Sequence, residues 1–291
     1  MSRTVRLINA KGEMIDLTTA DYFANELEDL GISFANEYIG SFGSFREVSS
    51  EIELASFQSS IYISIHGFKE ADLYSNLVQF LASPPFNLEF SFFDSTLLRK
   101  CRLKSISKSA IDHETSLLTE TIALDFISPW YKIKHAQIRQ NSTNVATRGK
   151  VYGFARPYVY TQNSREKTSG YKIKNDSIYL TANKERMSPL KITVSGFCIN
   201  PYWEVFQGST LVSSDSYSLT LQDGQKLTVS SLFQERTAIL TDQNGVESSV
   251  YQQQDITKSG FVHAPIGEST IVFHVGDASV DVEIYEEADL F

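Results

Sequence analysis

The residues of this sequence that could do acid–base or metal chemistry are five histidines, two cysteines and a surplus of carboxylates. The histidines form no HExxH or HxH pattern and have no cysteine at zinc spacing, so the sequence predicts no metal site. Asp112-His113-Glu114 is the densest titratable cluster, but it lies in a polar stretch between strand-like runs, where solvated side chains are favoured over a site. We therefore expect no catalytic residue.

Motifs for nucleophilic or nucleotide chemistry are missing as well. The sequence has no GxSxG elbow and no GxxxxGKS, GxxxxGKT or GxGxxG turn, and GSFGSF at 40–45 has the character of a loop. A glycoside or peptidoglycan hydrolase would need two carboxylates about 5 to 9.5 Å apart across a cleft, and no spacing singles out such a pair. The acidic C-terminal residues alternate in SVDVEIYE, which indicates an outer strand face rather than a calcium site. We expect that the protein is not an enzyme and takes no cofactor.

Carbohydrate binding is the alternative function, and it is indicated only by aromatic residues. Tyr202 and Trp203 are candidate stacking platforms for a sugar, because lectin sites often occur on jelly-roll sandwiches. In the segment GFCINPYWEVFQG these two rings point to opposite faces of a predicted strand, so at least one of them is expected in the core.

Composition and charge narrow the class of protein. The chain has 291 residues, 42% hydrophobic and 21% charged, and no apolar run approaches the roughly 18 residues of a membrane span. A net charge of -9 disfavours a non-specific nucleic-acid binder, which needs a basic surface. The N-terminus shows no secretory signal, so Cys101 and Cys198 are expected as reduced thiols. We expect neither specific nucleic-acid binding nor membrane insertion.

Alternating patterns predict antiparallel strands in the first part of the chain. A hairpin is expected around Lys11-Gly12, followed by a helix that begins at Thr19 or Asp21 and ends before Gly31. Residues 45–68 alternate as two strands, with Glu51 and Glu53 on a solvated face. Between Lys69 and Ser83 the apolar spacing changes to three and four, which predicts an amphipathic helix that Pro84-Pro85 terminates.

The next two strands, joined at Asp94-Ser95, carry a basic row. Lys100, Arg102 and Lys104 share one face of the second strand, which indicates either a contact with an acidic neighbour or polyanion, or an ordinary solvated face. A further strand over 117–127 reaches Ser128-Pro129-Trp130-Tyr131. We expect Trp130 and Tyr131 to close that strand and to anchor the second domain or the next subunit, because Pro129 forbids further pairing.

The remainder of the sequence is β-like. A polar, aperiodic stretch near 136–148 places the domain boundary, giving domains 1–138 and 139–291. Seven or eight short strands follow, with Asp223-Gly224 and Asn244-Gly245 at hairpin turns. The predicted fold class is mainly β: an α+β N-terminal domain and a jelly-roll type β-sandwich.

The order of these features resembles the distal tail proteins of siphophages. Residues 54–131 resemble the family's N-terminal belt domain, through the helix EADLYSNLVQFLASP, the hairpin strand RKCRLKSISKS and the closing FISPWYK. The C-terminal half is similar to its galectin-like domain in PLKITVSGFCINPYWEVFQG, SLTLQDGQKLTVSS and APIGESTIVF. The His, Asn, Arg and Trp pattern of true galectins has no match in 192–291, so the resemblance implies no sugar site.

The resemblance implies a non-enzymatic hub of a phage or prophage tail tip. Belt domains of that family form a hexameric ring, and their partners are the tail tube protein, a tail-tip protein and a receptor-binding or adhesin protein. The implied location is the virion tail tip, after synthesis in the host cytoplasm. Interface candidates are the basic row, the glutamate pair and the two rings of the junction: Lys100, Arg102, Lys104, Glu51, Glu53, Trp130 and Tyr131.

Overall fold

A computed structural model describes most of the chain, which forms two compact units. The first unit comprises Met1–Lys132, Ile178–Ala182 and Glu287–Phe291, and the second comprises Ile133–Ser177 and Asn183–Glu286. The predicted division between residues 138 and 139 stays a prediction. The structure describes residues 4–19, 21–24, 33–41, 44–53, 56–64, 70–93, 95–107, 111–112, 117–138, 168–179, 186–232 and 235–289.

The first unit contains one described helix and antiparallel strands. The last strand, β11, continues from this unit into the second after Lys132. In chain order the elements are β1 (Thr4–Ile8), β2 (Met14–Asp16), β3 (Tyr22–Ala24), β4 (Ser33–Ser41), β5 (Ser44–Glu53), β6 (Ser56–Ser64), α1 (Glu70–Leu81), β7 (Phe86–Phe92), β8 (Ser95–Ile106), β9 (Ile111–Asp112), β10 (Leu117–Phe126) and β11 (Trp130–Ile138).

Strand alternation produces the sheet of the first unit. The strands are ordered β2, β1, β7, β8, and β10 pairs with β6, β8 and β9. The predicted hairpin around Gly12 is confirmed by the pairing of β1 with β2, and Gly12 has a φ of +80° that a tight turn accepts from glycine at little cost. Alternate side chains of β1, β7 and β8 point into one core, since side chains of a strand alternate between faces.

The predicted helix after Asp21 is wrong over the residues that the structure describes there. Tyr22–Ala24 is strand β3, with Phe23 opposite Tyr62 of β6. The Tyr22 hydroxyl donates to the carbonyl of Leu73 at 2.9 Å, and Ala24 is buried. Pairing with a neighbouring strand therefore overrides the local helical spacing, and residues 25–32 lie outside the described part.

The predicted amphipathic helix is confirmed as α1. Leu77, Phe80 and Leu81 are buried on one face, while Val78 on the other face is 45% exposed. The helix ends at Leu81, before Pro84-Pro85, because proline lacks the N–H that the next turn would use.

The second unit is built from short antiparallel strands. Its elements after β11 are β12 (Thr168–Asn175), β13 (Ser188–Ser195), β14 (Cys198–Ile199), β15 (Tyr202–Gln207), β16 (Thr210–Ser216), β17 (Thr220–Leu221), β18 (Lys226–Ser230), β19 (Thr237–Thr241), β20 (Glu247–Ser249), the 3-10 helix Tyr251–Gln253, β21 (His263–Ala264), β22 (Gly267–His274) and β23 (Ser279–Ala288).

Two sheets of this unit share one core. One sheet has the order β23, β13, β18, β19, β20, and the other has the order β12, β22, β15, β16. Inward residues of both sheets belong to the same buried cluster, among them Val194 and Val280 from the first and Trp203 and Phe273 from the second. This is the arrangement of a β-sandwich, and the mainly β fold class is confirmed. The galectin-like assignment stays a prediction.

Candidate assembly surfaces

The Ser-Pro-Trp-Tyr segment lies at the start of a strand. Pro129 ends the turn after β10, and Trp130 and Tyr131 then open β11, so the expectation that they close the preceding strand is wrong. Proline has no N–H for the ladder, but it is tolerated immediately before a new strand. The Ser128 hydroxyl accepts from the Lys100 N–H at 2.8 Å and donates to the Pro129 carbonyl at 2.9 Å, which fixes the turn against β8.

Trp130 belongs to the core of the first unit. Its side chain is 0% exposed, and its ring centroid lies 6.2 Å from those of Phe90 and Phe126. The Tyr131 ring is also buried, and its hydroxyl donates to Oδ1 of Asn87 at 3.1 Å. These two rings bind the turn to β7 and β8, and the Trp130 ring has no surface left to offer to a partner subunit.

A buried arginine that sequence reasoning missed completes this cluster. Arg99 is 0% exposed, and its guanidinium carbon lies 3.8 Å from the ring centroid of Phe126 and 5.5 Å from that of Trp130. Its Nε donates to the carbonyl of Ser128 at 3.0 Å. Burial lowers the pKa of Arg99 to about 10, so the group keeps its charge at neutral pH, stabilised by the faces of the rings. Alternation with Leu97 and Cys101 was the pattern that could have placed Arg99 inside.

The basic row lies on the opposite face of β8 from Arg99. Arg102 and Lys104 are exposed and Lys100 is half-buried. Lys104 Nζ lies 3.2 Å from Oδ1 of Asp125, and both of these side chains are about half exposed. Exposed pairs of this kind contribute little to stability. The role of the row at an interface stays a prediction.

The glutamate pair can be placed only by its backbone. In β5, Glu51 lies opposite Ala35 and Glu53 opposite Ser33 of β4. Their side chains lie outside the described part of the structure. Their role at an interface stays a prediction.

The structure separates the two glycan candidates, as the alternation of β15 predicts. Trp203 points inward, is 0% exposed and packs 5.8 Å from the ring of Tyr217, so it has no ring face for a sugar. Tyr202 points outward and stacks on His274 at 4.9 Å, with Lys258 Nζ 4.9 Å from its ring centroid. Burial, with the nearby Glu204 carboxylate, raises the pKa of Tyr202 to about 12.

A buried carboxylate was also missed in the second unit. Asp215 is 0% exposed and accepts four hydrogen bonds, from the N–H groups of Ser216 and Phe261, the Gln254 amide and the Tyr217 hydroxyl, at 2.9–3.2 Å. Burial raises the pKa of Asp215 although each of these bonds opposes the shift. The carboxylate fastens the segment 254–261 to the edge strand β16, and its local pattern, LVSSDSYS, gave no indication of this.

Metal-ligand clusters and reactive thiols are the features of the described residues that would indicate metal or redox chemistry. Among them no cluster of three or more His, Cys, Asp or Glu side chains could hold a metal ion. Cys101 and Cys198 are free and buried, and burial raises their thiol pKa values to about 12 and about 11, so little reactive thiolate forms at neutral pH. Within the same residues no helix has the length and apolar character that a membrane crossing requires.

Comparison with known proteins is consistent with the mainly β fold. Residues 4–127 match the family described as distal tail protein, N-terminal domain. The resemblance to phage distal tail proteins that the sequence predicts is thereby confirmed for the N-terminal domain. Among curated protein sequences no significant match exists.

Solved structures share the fold over nearly the whole chain. A chain of the phage P2 baseplate in its activated conformation with Ca has a TM-score of 0.70 at 13% identity, and one of the phage p2 baseplate with Sr has 0.71 at 15%, each with 100% of both chains covered. The SPP1 Dit protein, described as a paradigm of the hub adsorption apparatus in phages that infect Gram-positive hosts, has a TM-score of 0.55 at 10% identity, covering 96% of this chain and 98% of that one. At these identities the likeness shows the fold alone.

Proposed function

We propose that this protein is a structural hub at the tail tip of a long-tailed phage or prophage. Six copies form a ring that joins the tail tube to the tail-tip and host-adhesion proteins. The observation that carries the proposal is the distal tail family match over residues 4–127, together with a fold shared along the whole chain with chains of phage baseplates. The function is non-enzymatic, and the location is the virion tail tip after synthesis in the host cytoplasm.

The surface of the first unit supports a role in assembly. A closed ring uses a heterologous interface, in which two different patches of each copy meet. The exposed side chains of Arg102 and Lys104 offer one charged patch, and a chain with a net charge of -9 carries an excess of carboxylates that could face it on a neighbouring copy. An acidic chain also suits a conduit for DNA, because a lumen without strong basic patches does not retain the passing polyanion.

The first experiment is the native mass of the purified full chain by light scattering, with negative-stain images of the same fraction. We expect a mass near six times 32.7 kDa and ring-shaped particles. Because closure can depend on the neighbouring ring of the tail, a monomeric sample is mixed with the tail tube protein and measured again. A chain that stays monomeric in both samples contradicts the proposal.

A further inference from the structure

A recess on one sheet of the second unit has no role in the proposed hub function. Its volume is about 450 Å³, within the usual range of small-ligand sites. Strands β19 and β20 line it, together with Tyr251, the first residue of the 3-10 helix.

Strand alternation decides which side chains face the recess. Ala238 and Val250 are 2% and 6% exposed and belong to the core of the sandwich. Thr237, Ile239 and Ser249 are their sequence neighbours, and Ile239 lies opposite Ser249 in the register of β19 and β20. Because successive side chains of a strand point to opposite faces, these three project from the outer face of the sheet. The recess therefore presents two hydroxyls beside one aliphatic side chain.

Tyr251 adds an exposed aromatic ring that is supported from behind. Its side chain is 56% exposed, and its ring stacks on that of Phe261 with centroids 5.8 Å apart and planes at 23°. The Gln254 N–H donates to the Tyr251 carbonyl at 3.2 Å, and the Phe261 N–H donates to the buried Asp215 carboxylate at 3.0 Å. A ring held in this way loses little conformational entropy when a flat apolar surface covers it.

The charges at the recess balance each other. Arg236 and Glu247, both exposed, contribute one positive and one negative group to the lining. On the neighbouring strand β18, Lys226 lies opposite Thr241, which is outside the lining. Burial, with the nearby Arg236 guanidinium, lowers the pKa of His263, so this imidazole adds no charge at neutral pH. A ligand with a strong net charge of either sign therefore gains little here.

These features together describe the chemistry of a neutral sugar. A pyranose has an apolar C–H face that can lie on an aromatic ring, and hydroxyls on its rim that need donors and acceptors. The guanidinium donates, the carboxylate accepts, and the serine and threonine hydroxyls do both. Tyr202 is less suited to this role, because its ring is stacked on His274 at 4.9 Å and approached by Lys258.

We propose that this recess binds a neutral pyranose sugar, with the C–H face of the sugar on the Tyr251 ring and its hydroxyls hydrogen-bonded to Arg236, Glu247 and Ser249. The site goes beyond the hub function. It does not depend on ring formation, because its residues belong to the second unit, whereas the charged patch proposed for the ring belongs to the first.

The test titrates the full chain with maltotriose, mannotriose, lactose and chitotriose and follows binding by saturation-transfer difference NMR. We expect saturable binding of at least one of them at millimolar concentration. Tyr251→Ala should weaken that binding about tenfold or more, because the stacking surface is lost, whereas Tyr251→Phe should retain it. Arg236→Ala should also weaken it. The matched control is Phe197→Ala, which removes a 50% exposed ring outside the recess and should leave binding unchanged.

Three results overturn the proposal. The first is the absence of binding of all four sugars at millimolar concentration. The second is equal binding by Tyr251→Ala and the unmodified chain, with or without a loss in Tyr202→Ala that would assign the sugar to the other ring. The third is tighter binding of sialyllactose than of lactose, which would contradict a neutral ligand. The native mass of every variant is measured in parallel, so intact rings without sugar binding contradict this site alone, and a monomer that binds sugar contradicts the hub alone.

Discussion

At the scale of single residues, the stability of the first unit depends on the aromatic cluster around Trp130. Trp130→Ala removes a fully buried ring that contacts Phe90 and Phe126 and leaves the Arg99 guanidinium beside a cavity. We expect a loss of about 3–5 kcal/mol in the free energy of unfolding, the usual cost of truncating a buried tryptophan. Denaturant unfolding of the full chain measures it, with Phe23→Ala, a 48% exposed ring of the same unit, as the control. A thermal shift below about one or two degrees for Trp130→Ala would contradict the buried anchor.

Asp215 offers a second residue-scale prediction, in the other unit. Its two carboxylate oxygens accept from four donors, whereas an asparagine has one oxygen and turns an NH₂ group toward donors. We therefore expect Asp215→Asn to lower the free energy of unfolding by about 1–3 kcal/mol, since buried donors lose their acceptor. Chemical denaturation is the measurement, and Glu268→Gln, on an exposed side chain, is the control for loss of one charge. Equal stability of Asp215→Asn and the unmodified chain would show that these bonds do not hold the segment 254–261.

These two residues also show what the sequence could and could not reveal. The burial of Arg99 could have been predicted, because alternation places it on the same side of β8 as Leu97 and Cys101. The burial of Asp215 could not have been predicted, because its partners Gln254 and Phe261 lie about forty residues away in the sequence. They become its neighbours only when the segment 254–261 folds back on β16. Whether a charged residue is buried depends on its hydrogen-bond partners in the folded chain, and local sequence spacing does not reveal those partners.

At the scale of elements, the helix α1 supports the core of the first unit through one face. Leu77→Ala removes a side chain that is 1% exposed, and we expect a loss of about 2–5 kcal/mol from the transfer term and the cavity. Val78→Ala is the control, because Val78 is adjacent in sequence but 45% exposed, and its effect should stay within about 0.5 kcal/mol. Urea unfolding followed by circular dichroism compares the two. Similar losses for both variants would show that the helix does not bury the face described.

Elements with a long, consistent period were the ones that the sequence predicted. The helix over 70–81 and the hairpin strands β7 and β8 follow from apolar spacing and from Pro84-Pro85. Strand β3 was missed because the pattern at Tyr22–Ala24 suits a helix as well, and its pairing partner β6 lies about forty residues downstream. The sequence analysis assigned Trp130 and Tyr131 to the end of the strand before Pro129, whereas they begin the strand after it. A proline can end one strand or precede the next, so the sequence alone does not distinguish the two.

At the scale of the whole molecule, charge distribution connects the chain to its assembly. Residues 141–191 contain ten Lys/Arg against three Asp/Glu, whereas residues 192–291 contain three against fourteen. Charge segregated along the sequence favours pairing between neighbouring segments or subunits, and such complementarity fixes register more than it adds affinity. The proposed ring should therefore depend on ionic strength as well as on concentration.

The basic row tests this dependence. If Arg102 and Lys104 face acidic surface on the next copy, the double reversal Arg102→Glu with Lys104→Glu replaces attraction by repulsion, and the ring should dissociate at a concentration about tenfold higher or more. Salt should weaken the unmodified ring as the Debye length falls from about 10 Å at 0.1 M to about 3 Å at 1 M, but should relieve the repulsion in the variant. Light scattering across a salt series measures both, with Lys172→Glu and Lys226→Glu, exposed lysines of the second unit, as the matched reversal. The row lies opposite the buried face of β8, and the reversal disturbs only the exposed pair of Lys104 with Asp125, so we expect the free energy of unfolding to change by less than about 1 kcal/mol. Rings of equal stability in variant and control would move the interface away from β8.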